Sequence, residues 1–257
     1  MLSDEIPVYI SLTSIYNTQD YLFNTLQTVL TQSRKPDKIF LYLSEEPYIL
    51  DDGFKHKEIT HTVLVELLHN NSLIDVRWVK NIGSFRKLLP LLKEKWEEDC
   101  FIITIDDDTL YHEDLIFNLL NDYNKYKCVI GYRGVTPPVE NIQHFDFSRK
   151  GRLKELTLHN FVSGKGGVLY KPQFFHNTGN LIFNDELYLK ICSKQDDIWF
   201  YIVRILNRVE CFVGTKTWQT KEYTSKGLFS HFNKHGNMNT KVFRKLFRRL
   251  SDMGYTF

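Results

Sequence analysis

The 257-residue chain lacks several features that would narrow its function at once. None of its four cysteines lies in a Cys-x-x-Cys pair, so the spacing typical of structural zinc sites is absent. No apolar run reaches the roughly 18 residues that predict a transmembrane helix. The first residues contain no basic region followed by an apolar stretch, which a signal peptide would have. The formal net charge is only +2, so overall charge does not favour a nucleic-acid partner. These absences favour a cytoplasmic enzyme or binding protein.

The first half of the chain alternates two hydrophobic periodicities. Short apolar runs alternate with segments in which apolar residues recur at helical spacing. The predicted strands are Val8–Leu12, Lys38–Leu43, Asp75–Val79, Phe101–Ile105 and Cys128–Tyr132. This rhythm predicts an α/β fold, with a Rossmann-like, mainly parallel central sheet flanked by helices.

The second half is less regular. Strands are expected around a glycine-rich turn at 163–167, and a helix is expected after Asp197. Without repeats or linkers, we predict one domain over 1–240, with a binding half (1–132) and an acceptor-side half (133–240). Residues 241–257 are predicted to form a basic amphipathic C-terminal segment.

Three consecutive carboxylates follow the predicted fourth strand. Strand geometry places Asp106 and Asp108 on one face and Asp107 on the other. Like charges crowded at a strand end are costly unless a cation lies among them. Oxygen ligands of this kind suit magnesium or manganese. The alternative is a turn and helix N-cap, for which one aspartate would suffice.

A second acidic pair, Asp196 and Asp197, begins the predicted helix that carries Ile198 and Ile202. Its alternative role is favourable interaction with the helix dipole. A third motif, the segment NIGSFRKLLPLL, precedes both acidic clusters in the sequence. It places Arg86 and Lys87 near a predicted helix N-terminus, where an anionic ligand would offset their charge.

With these motifs in place, the sequence resembles the A-type (GT-A fold) glycosyltransferases, and in particular family 2-like enzymes of bacterial capsule and lipopolysaccharide synthesis. The resemblance rests on an apolar strand followed by Asp-x-Asp, and on SKQDDIWF about ninety residues later. It implies that Asp106 contacts the ribose side of a nucleotide-sugar and that Asp108, together with Asp106, holds a divalent metal, Mn²⁺ or Mg²⁺. It also implies that Asp107 helps to position the donor or the metal.

The same resemblance implies further roles. Asp197, with Asp196 as the close alternative, would be the general base of an inverting transfer. Thr13, in the polar loop after the first strand, and Lys87 would contact the nucleotide-sugar. Gly166 and Gly167 would flank the donor sugar, although a plain hairpin is the alternative at that turn. His231 is a candidate third metal ligand. A helix-capping loop is the alternative for Thr13.

The predicted function is therefore metal-dependent transfer of a sugar from a nucleotide diphosphate to a hydroxyl of a glycan or lipid-linked acceptor. The resemblance suggests surface-polysaccharide or lipopolysaccharide synthesis. The alternatives are a nucleotidyltransferase that forms nucleotide-sugars and a non-catalytic carbohydrate-binding protein on the same fold. The segment 241–257 predicts either a peripheral contact with the inner face of the cell membrane or a packed terminal helix with a solvated basic face.

Overall fold

The computed structural model describes residues 6–137, 142, 145–147, 155–223 and 237–257. The strands in these ranges are β1 Val8–Thr13, β2 Lys38–Leu43, β3 Ile74–Trp78, β4 Phe101–Thr104, β5 Thr109–Tyr111, β6 Val129–Gly131, β7 Gly134–Val135, β8 Leu156–Thr157, β9 Phe161–Val162, β10 Val168–Tyr170, β11 Cys211–Val213 and β12 Gln219–Glu222. The α-helices are α1 Gln19–Leu30, α2 Thr62–Asn70, α3 Leu89–Glu94, α4 Leu115–Tyr126, α5 Asp185–Cys192, α6 Asp196–Leu206 and α7 Met238–Asp252.

An eight-stranded sheet forms the centre of the molecule, in the order β3-β2-β1-β4-β10-β6-β11-β8. Strands β3, β2, β1 and β4 are all parallel, which confirms the predicted parallel half of the sheet. Strand β10 runs antiparallel to both β4 and β6, and β8 runs antiparallel to β11. The carboxyl ends of β1 and β4 therefore lie side by side, and the loops that follow them meet at one edge.

Two apolar layers cover the two faces of this sheet. Along β2, Ile39 and Leu41 pack in the layer of α1, α2 and α4, whereas Phe40 and Tyr42 pack in the layer of α3, α5, α6 and α7. This alternation follows from the two-residue period of a strand, and it explains why the central strands carry apolar residues on both faces.

The C-terminal helix α7 is part of the core. Its residues Phe243, Leu246 and Leu250 are fully buried in the layer formed with α5 and α6. Its exposed residues include five basic side chains: Lys241, Arg244, Lys245, Arg248 and Arg249. The segment is therefore a packed terminal helix with an exposed basic face, which was one of the two predictions for it. Within the described ranges, no helix is both long and apolar enough to cross a membrane.

The glycine-rich turn is not a hairpin, so that alternative is wrong. Strand β9 before the turn pairs with β7 in a small separate sheet, whereas β10 after it enters the main sheet. The chain changes sheets through a 3-10 turn at Gly164–Gly166, and Gly167 has a positive φ of 76°. Positive φ favours glycine at this position.

Candidate active site

The acidic residues 106–108 form a turn between β4 and β5, at the carboxyl edge of the parallel strands. Because a strand follows, the helix N-cap alternative for this turn is wrong. Asp107 accepts hydrogen bonds from the hydroxyls of Ser14 and, at 2.8 Å, Thr18. Asp106 and Asp108 instead contact lysine side chains. The three carboxylates thus separate as the strand periodicity predicted, with Asp107 turned towards the loop after β1.

The second acidic pair lies at the first turn of α6. The hydroxyl of Ser84 donates to Asp196 Oδ1 at 2.7 Å, and the backbone N–H of Gly164 donates to Asp197 Oδ1 at 3.2 Å. These bonds come from two other segments, the 3-10 helix Gly83–Lys87 and the glycine-rich turn. Both carboxylates are therefore held by tertiary contacts as well as by the helix terminus.

Lys87 joins the two acidic clusters. Its Nζ lies 2.8 Å from Asp196 Oδ2, 3.1 Å from Asp106 Oδ1 and 3.5 Å from Asp197 Oδ1. Its side chain is only 5% exposed. Burial alone would lower the pKa of this ammonium, but the carboxylates of Asp106, Asp196 and Asp197 together raise it well above its usual value. Lys87 is therefore a charged group at the centre of the site.

Lys87 owes this position to local structure that differs from the prediction. Residues Gly83–Lys87 form a 3-10 helix, and α3 begins only at Leu89. The ammonium is consequently not at the N-terminus of α3, and carboxylates of the chain itself offset its charge. Gly83 begins the 3-10 helix with a positive φ of 65°.

Burial, together with crowded negative charge, raises the pKa values of three carboxyl groups. Burial, followed by the neighbouring Asp108, raises the pKa of Asp107 to about 7. Burial and Asp106 raise that of Asp108 to about 6. Burial also raises the pKa of Asp197 to about 7, against the opposing effect of Lys87 and with a further contribution from Asp196. Such shifts are typical of sites that bind cations or transfer protons.

These groups line a cavity of about 800 Å³. The predicted residues that line it are Thr13, Lys87, Asp106, Asp107, Asp108, Asp196 and Asp197. The Thr13 hydroxyl donates a hydrogen bond to the Tyr42 carbonyl at 2.7 Å. It therefore does not cap α1, and the helix-capping alternative for this residue is wrong. The two acidic clusters, about ninety residues apart in sequence, thus meet in one cleft.

Gly166 and Gly167 are not among the residues that line this cavity, and their contact with the donor stays a prediction. A Cβ on Gly166 would lie 2.6 Å from the backbone nitrogen of Arg133, and one on Gly167 would lie 3.2 Å from the Leu115 side chain. Close packing of the turn against its neighbours explains these two glycines. The predicted ligand His231 lies outside the described residues.

Five charged residues that line the cavity were not predicted: Asp51, Arg133, Lys165, Lys194 and Glu222. Arg86 is fully buried and pairs with Asp51 at 2.9 Å, and its Nη1 has no hydrogen-bond partner among the described residues. Lys165 and Glu222 contact each other near Asp108. Glu222 lies in the β12 ribbon, whose polar sequence gives little strand signal. Lys165 lies between the glycines that were singled out, and its charge was the available signal.

The carboxylate oxygens of Asp106 and Asp108 suit a divalent cation that takes its other ligands from water and a bound phosphate. Among the described residues, no group of three or more histidine, cysteine or acidic side chains is arranged as a metal site. Magnesium and manganese sites, however, often use one or two carboxylates, with water and phosphate oxygens completing the shell. Burial and then the neighbouring charge of Asp106 raise the pKa of Asp108, and a bound cation would favour its ionised form. Asp106 and Asp108 therefore fit such an ion.

Comparison with known proteins identifies the fold. No family model matches the chain, and no curated protein matches its sequence. The crystal structure of S. aureus TarS 1-349 in complex with UDP-GlcNAc matches with a TM-score of 0.56 at 14% identity, over 95% of this chain and 65% of that chain. The complex with UDP matches with a TM-score of 0.56 at 13% identity, over 95% of this chain and 71% of that chain.

A further structure of TarS 1-349 matches with a TM-score of 0.54 at 14% identity, over 83% of this chain and 59% of that chain. The chain thus spans less than two thirds of the first TarS chains it matches. The likeness confirms the predicted fold class, a glycosyltransferase fold of the A type with a mostly parallel central sheet.

Proposed function

We propose that this chain is a glycosyltransferase that moves a sugar from a nucleotide diphosphate to a hydroxyl acceptor. The observation that carries the proposal is the meeting of Asp106 with the Asp196–Asp197 pair around Lys87, in one cavity. Displacement at an anomeric carbon requires stabilisation of a leaving diphosphate and removal of a proton from the acceptor. The two acidic clusters can divide these tasks between them.

Asp106 and Asp108 are the residues that would hold a divalent cation, Mn²⁺ or Mg²⁺, together with donor oxygens. Such an ion, when bound, neutralises the charge that develops on the leaving diphosphate. Asp107 positions the turn through Ser14 and Thr18. Thr13 is the last residue of β1 and directly precedes Ser14. The solved neighbour contains UDP-GlcNAc, which makes uridine diphosphate sugars the first donors to test.

Asp197 is the better candidate for the general base. Its contacts with Gly164 N and Lys87 Nζ, at 3.2 and 3.5 Å, are longer than those of Asp196 with Ser84 and Lys87, at 2.7 and 2.8 Å. Its side chain is 25% exposed, compared with 10% for Asp196. An acceptor hydroxyl can therefore reach Asp197 more easily. A pKa of about 7 also suits a base that works near neutral pH. Direct displacement would invert the anomeric carbon.

The acceptor is proposed to belong to a surface polysaccharide or lipopolysaccharide, carried at the inner face of the cell membrane. The exposed basic residues of α7 support an electrostatic contact with anionic lipid. Phe243, Leu246 and Leu250 of α7 are buried in the core and are not available to insert into a membrane. Vesicle sedimentation with Lys245, Arg248 and Arg249 changed to glutamine tests this contact. Equal binding of the variant and the parent would contradict it.

The direct test is release of a nucleoside diphosphate from a panel of nucleotide-sugars, with Mn²⁺ and with mixed glycan acceptors. We expect one donor to be consumed, and we expect Asp108→Ala to abolish its consumption. Asp114→Ala is the matched control, because Asp114 lies in the next turn and is 41% exposed. An unchanged rate in Asp108→Ala would reject the metal-binding role.

The two alternatives give different results. A nucleotidyltransferase would release pyrophosphate when it is given a nucleoside triphosphate and a sugar phosphate in place of the nucleotide-sugar. A carbohydrate-binding protein would bind glycans without consuming any donor.

A further inference from the structure

Lys165 lies in the glycine-rich turn, and hydrogen bonds to its backbone carbonyl hold it there. Its carbonyl accepts hydrogen bonds from the Tyr111 hydroxyl, at 3.3 Å, and from the Gln219 side chain. On either side, a Cβ on Gly164 would meet Lys87 and Asp106, and a Cβ on Gly166 would meet Arg133. The backbone of the turn therefore cannot shift easily, so any displacement of the Lys165 ammonium must come from rotation of its long side chain.

The ammonium of Lys165 lies between two carboxylates. Its Nζ is 3.4 Å from Asp108 Oδ2 and 3.3 Å from Glu222 Oε2. The Lys165 and Asp108 side chains are 18% and 15% exposed. Glu222 is fixed in turn by Arg133, at 2.7 Å. Lys165 Nζ also reaches the Tyr223 carbonyl, at 3.5 Å. These contacts provide a second resting place for the ammonium, beside β12, if it leaves Asp108.

Lys87 and Lys165 differ in how firmly they are held. Lys87 is 5% exposed and contacts three carboxylates, the nearest at 2.8 Å. Lys165 is more exposed, and both of its carboxylate contacts are longer than 3.2 Å. Of the two lysines that contact the Asp106–Asp108 turn within the described part of the chain, Lys165 is therefore the one that can be displaced.

Building on the proposed glycosyltransferase function, we propose that Lys165 is a resident counter-cation of Asp108 that a divalent metal ion must displace. An ammonium and a divalent cation repel each other when both lie close to the same carboxylate. Lys165 therefore weakens binding of the metal alone. A donor diphosphate offers additional oxygen ligands, which compensate for the displacement. The cation and the nucleotide then bind together, rather than the cation binding first.

Titration of Mn²⁺ alone into the full chain tests this proposal, with free Mn²⁺ measured by electron paramagnetic resonance. Lys165→Met is expected to bind Mn²⁺ about tenfold more tightly than the parent, as for loss of a partly buried competing charge. Arg133→Met is the matched control. It removes the same charge from the same cluster, but Arg133 contacts Glu222 and, within the described ranges, not Asp108. We expect it to change Mn²⁺ affinity by less than about threefold. Lys165→Arg should retain weak binding.

Two results would overturn the proposal. One is Mn²⁺ affinity in Lys165→Met no higher than in Arg133→Met, with circular dichroism showing all variants folded. The other is no Mn²⁺ binding by any form, since nothing would then be displaced. Calorimetry with UDP in the same preparations separates this outcome from failure of the proposed function. If Lys165→Met binds Mn²⁺ more tightly but no form binds a nucleoside diphosphate, Lys165 has the proposed role and the glycosyltransferase assignment is wrong.

Discussion

Removal of the Lys87 ammonium would leave three buried or half-buried carboxylates without their shared partner. The nearest, on Asp196 and Asp106, lie 2.8 and 3.1 Å from Nζ. Removing one partner of a buried ion pair costs roughly 3–5 kcal/mol, because the remaining charge is left uncompensated. At about 2–4 °C per kcal/mol for a chain of this size, Lys87→Met should lower the melting temperature by roughly 6–20 °C.

The assay is thermal and urea unfolding followed by circular dichroism, with Lys95→Met as the control. Lys95 also contacts two carboxylates, Glu98 at 3.2 Å and Glu94 at 3.4 Å, but these are 52% and 38% exposed. Its removal should cost at most about 1 kcal/mol. Adding Asp196→Asn to Lys87→Met should restore part of the lost stability. A melting temperature for Lys87→Met no lower than that of Lys95→Met would refute the reasoning.

The stability difference should also depend on pH. The pKa of Asp197 in the folded chain, about 7, lies above its unfolded value of 3.8. The folded chain therefore holds this proton more tightly, and its contribution to stability is lost as pH rises from about 4 to about 7. Without Lys87, the ionised form is still more costly. The destabilisation caused by Lys87→Met should therefore be larger at pH 8 than at pH 5.

Three further predictions concern the proposed reaction and the turn that supports it. Asp197→Asn should lower kcat by roughly 10²–10⁴-fold, measured as diphosphate release, while UDP affinity changes little; equal loss of UDP binding would contradict a role as base. In the parent, kcat/KM should rise with pH and level off above about 7, because Asp197 must lose its proton, which has a pKa of about 7, to act; a flat profile from pH 5 to 9 would exclude it. Gly166→Ala should destabilise the fold by about 1–3 kcal/mol in urea, because its Cβ would lie 2.6 Å from the Arg133 backbone nitrogen; an unchanged urea midpoint would show that the turn yields.

Hydrophobic periodicity predicted the parallel half of the sheet well. Strand β2 has the predicted bounds, Lys38–Leu43, and β1 and β4 differ from their predicted ends by one residue. These strands are largely buried on both faces, so their sequences are mostly apolar and easy to recognise. The position of the Asp106 turn followed from the end of the apolar run Phe101–Ile105.

Elements that depend on partners distant in sequence were not predicted. Strand β12 has the polar sequence QTKE and pairs with the three-residue β5, so neither has a clear periodic signal. The reversal of β10 is also invisible in a local window, because it depends on where the chain re-enters the sheet. Lys87 was predicted to meet an anionic donor, but the sequence alone could not show that three carboxylates would surround it.

Calorimetric titration of UDP into the full chain, with and without Mn²⁺, tests the central claim most directly. We expect UDP to bind saturably at one site. Mn²⁺ should strengthen this binding in the parent and in Asp114→Asn, but not in Asp108→Asn. Failure of every nucleoside diphosphate to bind, or an equal effect of Mn²⁺ in the parent and in Asp108→Asn, would contradict it.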